Sequence, residues 1–118
     1  MKNSIVREKS FQFSVDIVRL HKTLSKKNLD LSRQLLRSAS SVGANIHEAQ
    51  FAHSSKDFIH KLSISRKEAN ESKYWIDLLE ATSYINTEDS EKLKRQANEL
   101  MRMLTSIILT MKKKTNAG

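Results

Sequence analysis

The sequence predicts an all-α protein, one antiparallel up-down-up-down four-helix bundle spanning residues 1–118. Three observations carry that expectation. Apolar residues recur at steps of three and four along four segments, the spacing of a single buried helix face. Short polar interruptions separate the segments, which makes successive helices antiparallel neighbours. The chain has no proline and only two glycines, one of them the last residue, so nothing punctuates it as a multi-strand β protein requires. Its length is that of one domain.

The first helix is expected at about 4–27. Val6, Ser10, Phe13, Ile17, Leu20 and Leu24 form its stripe, and Phe11, Val15 and Val18 widen it. KKNLD then interrupts the pattern: Asn28 suits a left-handed helix end and Asp30 a helix start. The second helix is expected at about 31–52, striped by Leu31, Leu35, Ser38, Val42, Asn45 and Ala49, with Leu36, Ala39, Gly43 and Ile46 alongside. In HSSKD, Ser54 and Asp57 resemble a capping box for a third helix at about 55–83. Its stripe is Phe58, Leu62, Ser65, Ala69, Ser72, Ile76 and Leu79. Asn86 or Thr87 caps a fourth helix at about 87–114. Glu88, Asp89 and Glu91 near its start and Lys112, Lys113 and Lys114 near its end both suit the helix dipole. Leu93, Ala97, Leu100, Leu104, Ile107 and Met111 form a heptad-like seam, with Met101 and Ile108 beside it.

One stretch is unusual. SASSVGANIHEA, residues 38–49, is rich in small and short polar residues yet keeps the helical period. The second and third helices are consecutive and antiparallel, so their middles meet. Ser38, Ala39, Val42, Gly43 and Asn45 are therefore expected in close packing opposite Ser65 and Ala69, with Ser63 and Ser72 nearby. Such proximity offsets the helix-propensity cost of Gly43, about 1 kcal/mol against alanine. Asn45 and Glu48, polar groups beside a tight contact, should have hydrogen-bond partners.

Composition narrows the chemistry. There is no cysteine, which excludes disulfides, thiolate metal sites and thiol catalysis. The start carries charges every few residues and no apolar run, unlike a secretion signal. No segment nears the roughly 20 apolar residues of a membrane span, so a cytoplasmic protein with no membrane partner is the expectation. Di-iron bundles use paired Glu-x-x-His motifs, and the sequence has none. Asp57 and His60, with His53, could share a face, but capping and exposure account for them equally well, so no metal is expected. His47-Glu48 opens like a zinc-protease motif, but Phe51 stands where the second histidine belongs. No glycine-rich phosphate loop or evident nucleophile constellation appears, so the expectation is a non-enzyme with no cofactor.

The formal net charge is +8 with an isoelectric point near 9.9, a balance that favours polyanions or simply a solvated surface. Residues 1–37 carry nine Lys/Arg against three acids. Arg19, Lys22, Lys26 and Lys27 on the first helix, with Arg33 and Arg37 on the second, could form one basic edge of the first hairpin. Such an edge contacts phosphates with little sequence reading and strong salt dependence. The alternative for Arg33 and Arg37 is pairing with acids of neighbouring helices or subunits. Tyr74 and Trp75 could stack on bases, but Trp75 better suits a helix or subunit interface.

Residues 33–79 carry a recognisable pattern: Arg37, the small run Ser38 to Ser41, Val42, Asn45-Ile46, Glu48-Ala49, then Lys56-Asp57-Phe58. This resembles the four-helix bundle proteins related to the 23S rRNA intervening-sequence proteins, with His47 departing from the small or acidic residue more usual there. The resemblance implies a protomer that assembles into a ring, typically a pentamer. It implies relatives encoded within insertions in bacterial 23S rRNA genes. A related branch accompanies reverse transcriptases in diversity-generating retroelements and binds nucleic acid and the transcriptase. No catalytic residues transfer. The expected function is a homo-oligomer that binds structured RNA or DNA. The rival is a ring that docks onto a reverse transcriptase or another protein without touching nucleic acid. Apolar flanks at Phe11, Val15 and Val18, and at Met101 and Ile108, are the expected subunit contacts.

Overall fold

The computed structural model describes residues 2–24, 26 and 30–117. Helices α1 (Lys2–Leu24), α2 (Asp30–Ala49), α3 (Ser55–Ala81) and α4 (Thr87–Ala117) form an all-α four-helix bundle. Side chains match in reverse order across every neighbouring pair. Ser14 of α1 meets Ala39 of α2, Ser38 of α2 meets Ser72 of α3, Lys94 of α4 meets Asp77 of α3, and Lys9 of α1 meets Glu99 of α4. The helices thus run up-down-up-down around a closed square, each touching its two neighbours. The bundle is a rod of 52 × 22 × 20 Å, and its length follows from α4, whose 31 residues rise about 1.5 Å each.

Local chemistry sets the ends. The Ser54 hydroxyl accepts from Asp57 N–H at 3.1 Å, and Asp57 Oδ2 accepts from His53 N–H at 3.2 Å. This is a capping box whose return bond lands one residue earlier than usual. Thr82 ends α3, and Ser83 takes φ 66° to turn the chain. Asn86 Oδ1 accepts from Asp89 N–H at 2.7 Å, so Asn86 and not Thr87 supplies the cap of α4. Helix α2 stops at Ala49, short of the expected residue 52, and residues 50 and 51 form a turn. Ser25, Lys27 and Asn28, and so the expected Asn28 helix end, lie outside the described residues.

The core follows the helical period. Val6, Phe13, Ile17, Leu35, Ile46, Leu62, Ile76, Leu79, Leu100 and Leu104 are all fully buried. On α4 the expected heptad seam drifts. Ile108 is buried and Ile107 only half-buried. An unsupercoiled helix gains about 20° per heptad against a strict 3.5-residue repeat, which rotates Ile108 inward after two heptads. Ile108 is therefore core and not the surplus apolar flank expected of it. The exposed apolar residue of that turn is Leu109.

The small-residue stretch packs on two sides. Ser65 donates to Val42 C=O at 2.8 Å, and the Ser38 and Ser72 hydroxyls meet at 3.0 Å, joining α2 to α3. Gly43 faces α1 instead of α3: a Cβ there would lie 3.4 Å from Ser14 Oγ and 3.7 Å from Ser10. Asn45 Nδ2 donates within its own helix to Ser41, and Glu48 pairs with Lys61 at 3.1 Å. The added Cβ makes ordinary contact, so Gly43→Ala should raise stability by about 0.5–1 kcal/mol through helix propensity. Gly43→Leu should lower it by overpacking against α1. Thermal melts of both variants check this pair of outcomes.

A polar cluster ties the α3–α4 turn. The buried Ser90 hydroxyl has no partner within strict hydrogen-bond geometry, but it lies close enough to the Glu80 carboxylate to be the largest cause of its lowered pKa. Thr87 Oγ1, donating at 3.0 Å, and Lys94 act in the same direction. The carboxylate's stabilisation is complete above its unfolded value of 4.5 and is lost as pH falls through the lower folded value. Glu80→Gln should flatten the pH dependence of the unfolding midpoint below pH 4.5, measured by denaturant titration.

Candidate nucleic-acid interface

Six cations were expected along one edge of the first hairpin, and the structure distributes them differently. Arg37 turns away from α1. Its guanidinium donates to Glu68 Oε2 at 3.1 Å, to Glu71 Oε2, and to Gln34 Oε1 at 3.3 Å. Glu71 Oε2 also accepts from Trp75 Nε1 at 3.0 Å. Arg37 is thus a strut between α2 and α3, and Trp75 packs partly buried against the protomer's own core. Tyr74, exposed, meets the Trp75 ring edge-on with centroids 5.1 Å apart. Arg33 bridges to Asp30 at 2.8 Å on the exposed face of the first turn of α2. Lys27 lies outside the described residues.

Arg19 and Lys22 are exposed on α1, and Lys26 is exposed just beyond its end, where the expected helix to residue 27 has stopped at Leu24. Arg19 lies with Asp16, Thr23, Asp89 and Lys92 around a groove of about 380 Å³ between α1 and α4. Asp16 is held there by two side-chain amides: Gln12 Nε2 donates at 2.9 Å and Gln96 Nε2 at 3.0 Å. Exposed Lys92 and Arg95 continue the cationic rim along α4. Arg19, Lys26, Lys92 and Arg95 enter no ion pair with a described residue. The basic surface therefore runs from α1 to α4. Lys92 and Arg95 escape a linear reading, because acids crowd the same stretch of sequence and only the α1–α4 contact sets them beside Arg19. Asp16 and Asp89 line the same groove, so its floor repels anions and the outward cations supply the attraction.

Other candidate chemistry resolves into structure. His21 Nδ1 and Ser32 Oγ lie 2.5 Å apart, but Ser32 is buried and links α1 to α2. Asp57 is engaged in helix capping. Among the described residues no three His, Asp or Glu side chains converge as metal ligands. No described helix is long and apolar enough to cross a membrane.

A family model described as 23S rRNA-intervening sequence protein matches residues 2–106. The chain belongs to that family. A solved structure from the S23 ribosomal protein family of Bacteroides thetaiotaomicron, described as a protein of unknown function, is similar at 47% identity and a TM-score of 0.88. The similarity covers 92% of this chain and 98% of the other. No curated protein matches. Family membership accounts for the bundle, while the distribution of cations comes from this chain's own geometry.

The division between strut and surface cation is measurable. Arg37→Met should cost about 0.5–1 kcal/mol, the worth of a well-placed but half-exposed pair. It should also shift the fluorescence of Trp75, because Glu71 loses the cation that helps orient it. Arg19→Met should do neither.

Proposed function

We propose that this chain is a non-enzymatic, oligomeric helical bundle that binds RNA or DNA through a basic surface. The observation that carries this reading is the cationic rim of Arg19 and Lys22 on α1, with Lys26 beyond its end, beside Lys92 and Arg95 on α4. These outward cations sit on a bundle with a formal net charge of +8. Such a surface attracts phosphates over a Debye length and releases their counterions on contact. Contacts from such cations to phosphates fix position and orientation and carry no sequence information directly. The family's link with inserted segments of 23S rRNA supports a structured RNA as the polyanion.

A second reading is a ring that docks onto another protein, with the charge serving solubility. Phe11 and Phe51, 71% and 75% exposed, favour it, since both rings stand free of the protomer's core. Recovery of the same protein partner after nuclease treatment, with no RNA or DNA retained at low salt, would establish this reading over the first.

Removing Arg19, Lys22 and Lys26 together by alanine substitution should weaken binding to duplex RNA or DNA almost uniformly across sequences. The slope of log K against log salt should fall by about one for each cation that touched a phosphate. Arg37→Met should leave that slope unchanged. Filter binding over a salt series measures both, and absence of any binding at low salt would sink the nucleic-acid reading.

A further inference from the structure

We propose that the α3–α4 face is a docking surface for an acidic amphipathic helix of a different protein. It is a second surface, on the other flank of α4 from the rim shared with α1. The observation behind it is an exception in charge pairing. At four places a cation in the seam between two helices meets an acid from the opposite helix: Lys9 with Glu99, Arg37 with Glu68, Lys61 with Glu48, and Lys94 with Asp77. Arg66 of α3 is half-buried in the α3–α4 seam, and its guanidinium donates to the neutral Thr105 hydroxyl at 3.2 Å. That bond uses one of five N–H donors and leaves the charge unbalanced. Arg66, half-buried Lys73 on α3 and exposed Arg102 on α4 enter no ion pair with a described residue. The acids nearest in sequence are engaged elsewhere: Glu68 and Glu71 hold Arg37, Asp77 holds Lys94, and Glu99 holds Lys9. Three cations on one face are thus left for carboxylates from outside.

The shape of the face says what carries those carboxylates. The Arg66–Thr105 and Asp77–Lys94 contacts fix one register between the antiparallel helices, which sets Asn70 across from Met101 and Lys73 across from Asn98. Beside this line α4 opens a shallow groove of about 520 Å³, with Met101 towards one end and Leu109, 53% exposed, towards the other. An apolar line flanked by cations complements a helix with apolar residues at i, i+3 or i+4, and i+7 and acids beside them. Arg66 and Lys73 are seven residues apart on α3, about 10.5 Å along its axis, so acids one heptad apart on the incoming helix reach both. A phosphate backbone would answer the cations equally well. It would leave Leu109 and Met101 against charge and water, which favours a protein helix here over a nucleic acid.

The probe is a fluorescent synthetic helical peptide of about 20 residues, long enough to span the face. It carries leucine along one stripe and glutamate on both flanks, and its control replaces each glutamate by glutamine. Anisotropy with the full chain should show the glutamate peptide binding and the glutamine peptide binding far more weakly. Lys73→Glu with Arg102→Glu should weaken the glutamate peptide by roughly tenfold or more. The same double variant should gain affinity for a peptide with lysine on its flanks, which a folding defect cannot produce. Arg66→Met should also weaken the glutamate peptide, and it should leave the thermal midpoint unchanged or higher, unlike Arg37→Met. Removing Arg19, Lys22 and Lys26 should leave peptide binding intact, so failure of the nucleic-acid rim and failure of this surface are separable. Equal binding of the two peptides overturns the proposal, as does loss of peptide binding on removal of the rim. A midpoint that falls with Arg66→Met as far as with Arg37→Met makes Arg66 a structural brace and overturns it. Duplex RNA that loses affinity in the double variant while the peptide does not would give the face to nucleic acid instead. A fall in mass of that variant by light scattering, without any peptide binding to wild type, would give it to a second copy of the chain.

Discussion

The bundle depends on how closely α2 can approach both of its neighbours. Its middle is built of small residues, so α1 and α3 reach its backbone and not merely its side-chain tips. Ser65 of α3 donates to the Val42 carbonyl at 2.8 Å, and Ser14 of α1 lies 3.4 Å from the Ala39 carbonyl. Hydroxyls buried in an apolar core cost free energy unless bonded, and here helix carbonyls satisfy them while also serving the α-helical ladder. Ser38 and Ser72, both buried, solve the same problem by facing each other. Bulkier residues at these positions would push the helices apart, and these bonds would be lost with the contact. Gly43 adds room on the α1 side, where a groove of about 720 Å³ also opens.

That close approach divides the charges. With α2 held against α3, Arg37 comes within reach of Glu68 and Glu71, and a cation that looks available in the sequence becomes an internal brace. With α1 held against α4, Arg19 comes to lie beside Lys92, and a basic rim forms from residues more than seventy positions apart. Lys94 shows the same effect at the α3–α4 turn. It donates to Asp77 at 2.7 Å, and that bond keeps its pKa above the usual lysine value. Excess positive charge is therefore not spread evenly: part of it stitches helices together, and the remainder faces solvent.

Most of the fold was legible before any coordinates. The stripes of α1 and α3 translate almost residue for residue into the core, because helical periodicity and burial are the same statement about one face. The end of α4 was misread by one position, since a seven-residue repeat approximates but does not equal two turns of helix. The end of α2 was placed three residues late: Ala49, Phe51 and Ala52 continue an apolar pattern, yet the backbone turns after Ala49 and leaves Phe51 in solvent. Apolar character alone cannot distinguish a core residue from one exposed at the surface.

The sequence by itself determined four amphipathic helices, their order, the antiparallel arrangement that short connections impose, and the small-residue centre of α2 that marks the family. These are local properties, set by spacing, capping and chain length. Only the tertiary structure decided which cations are braces and which are surface. It also decided that Gly43 serves α1 and not α3, and that an apolar groove faces away from the exposed ridge of α4. Each of these depends on the rotation of one helix about its axis relative to another. That rotation is settled by packing all four cores at once, and a degree of freedom shared among four segments is not written in any one of them.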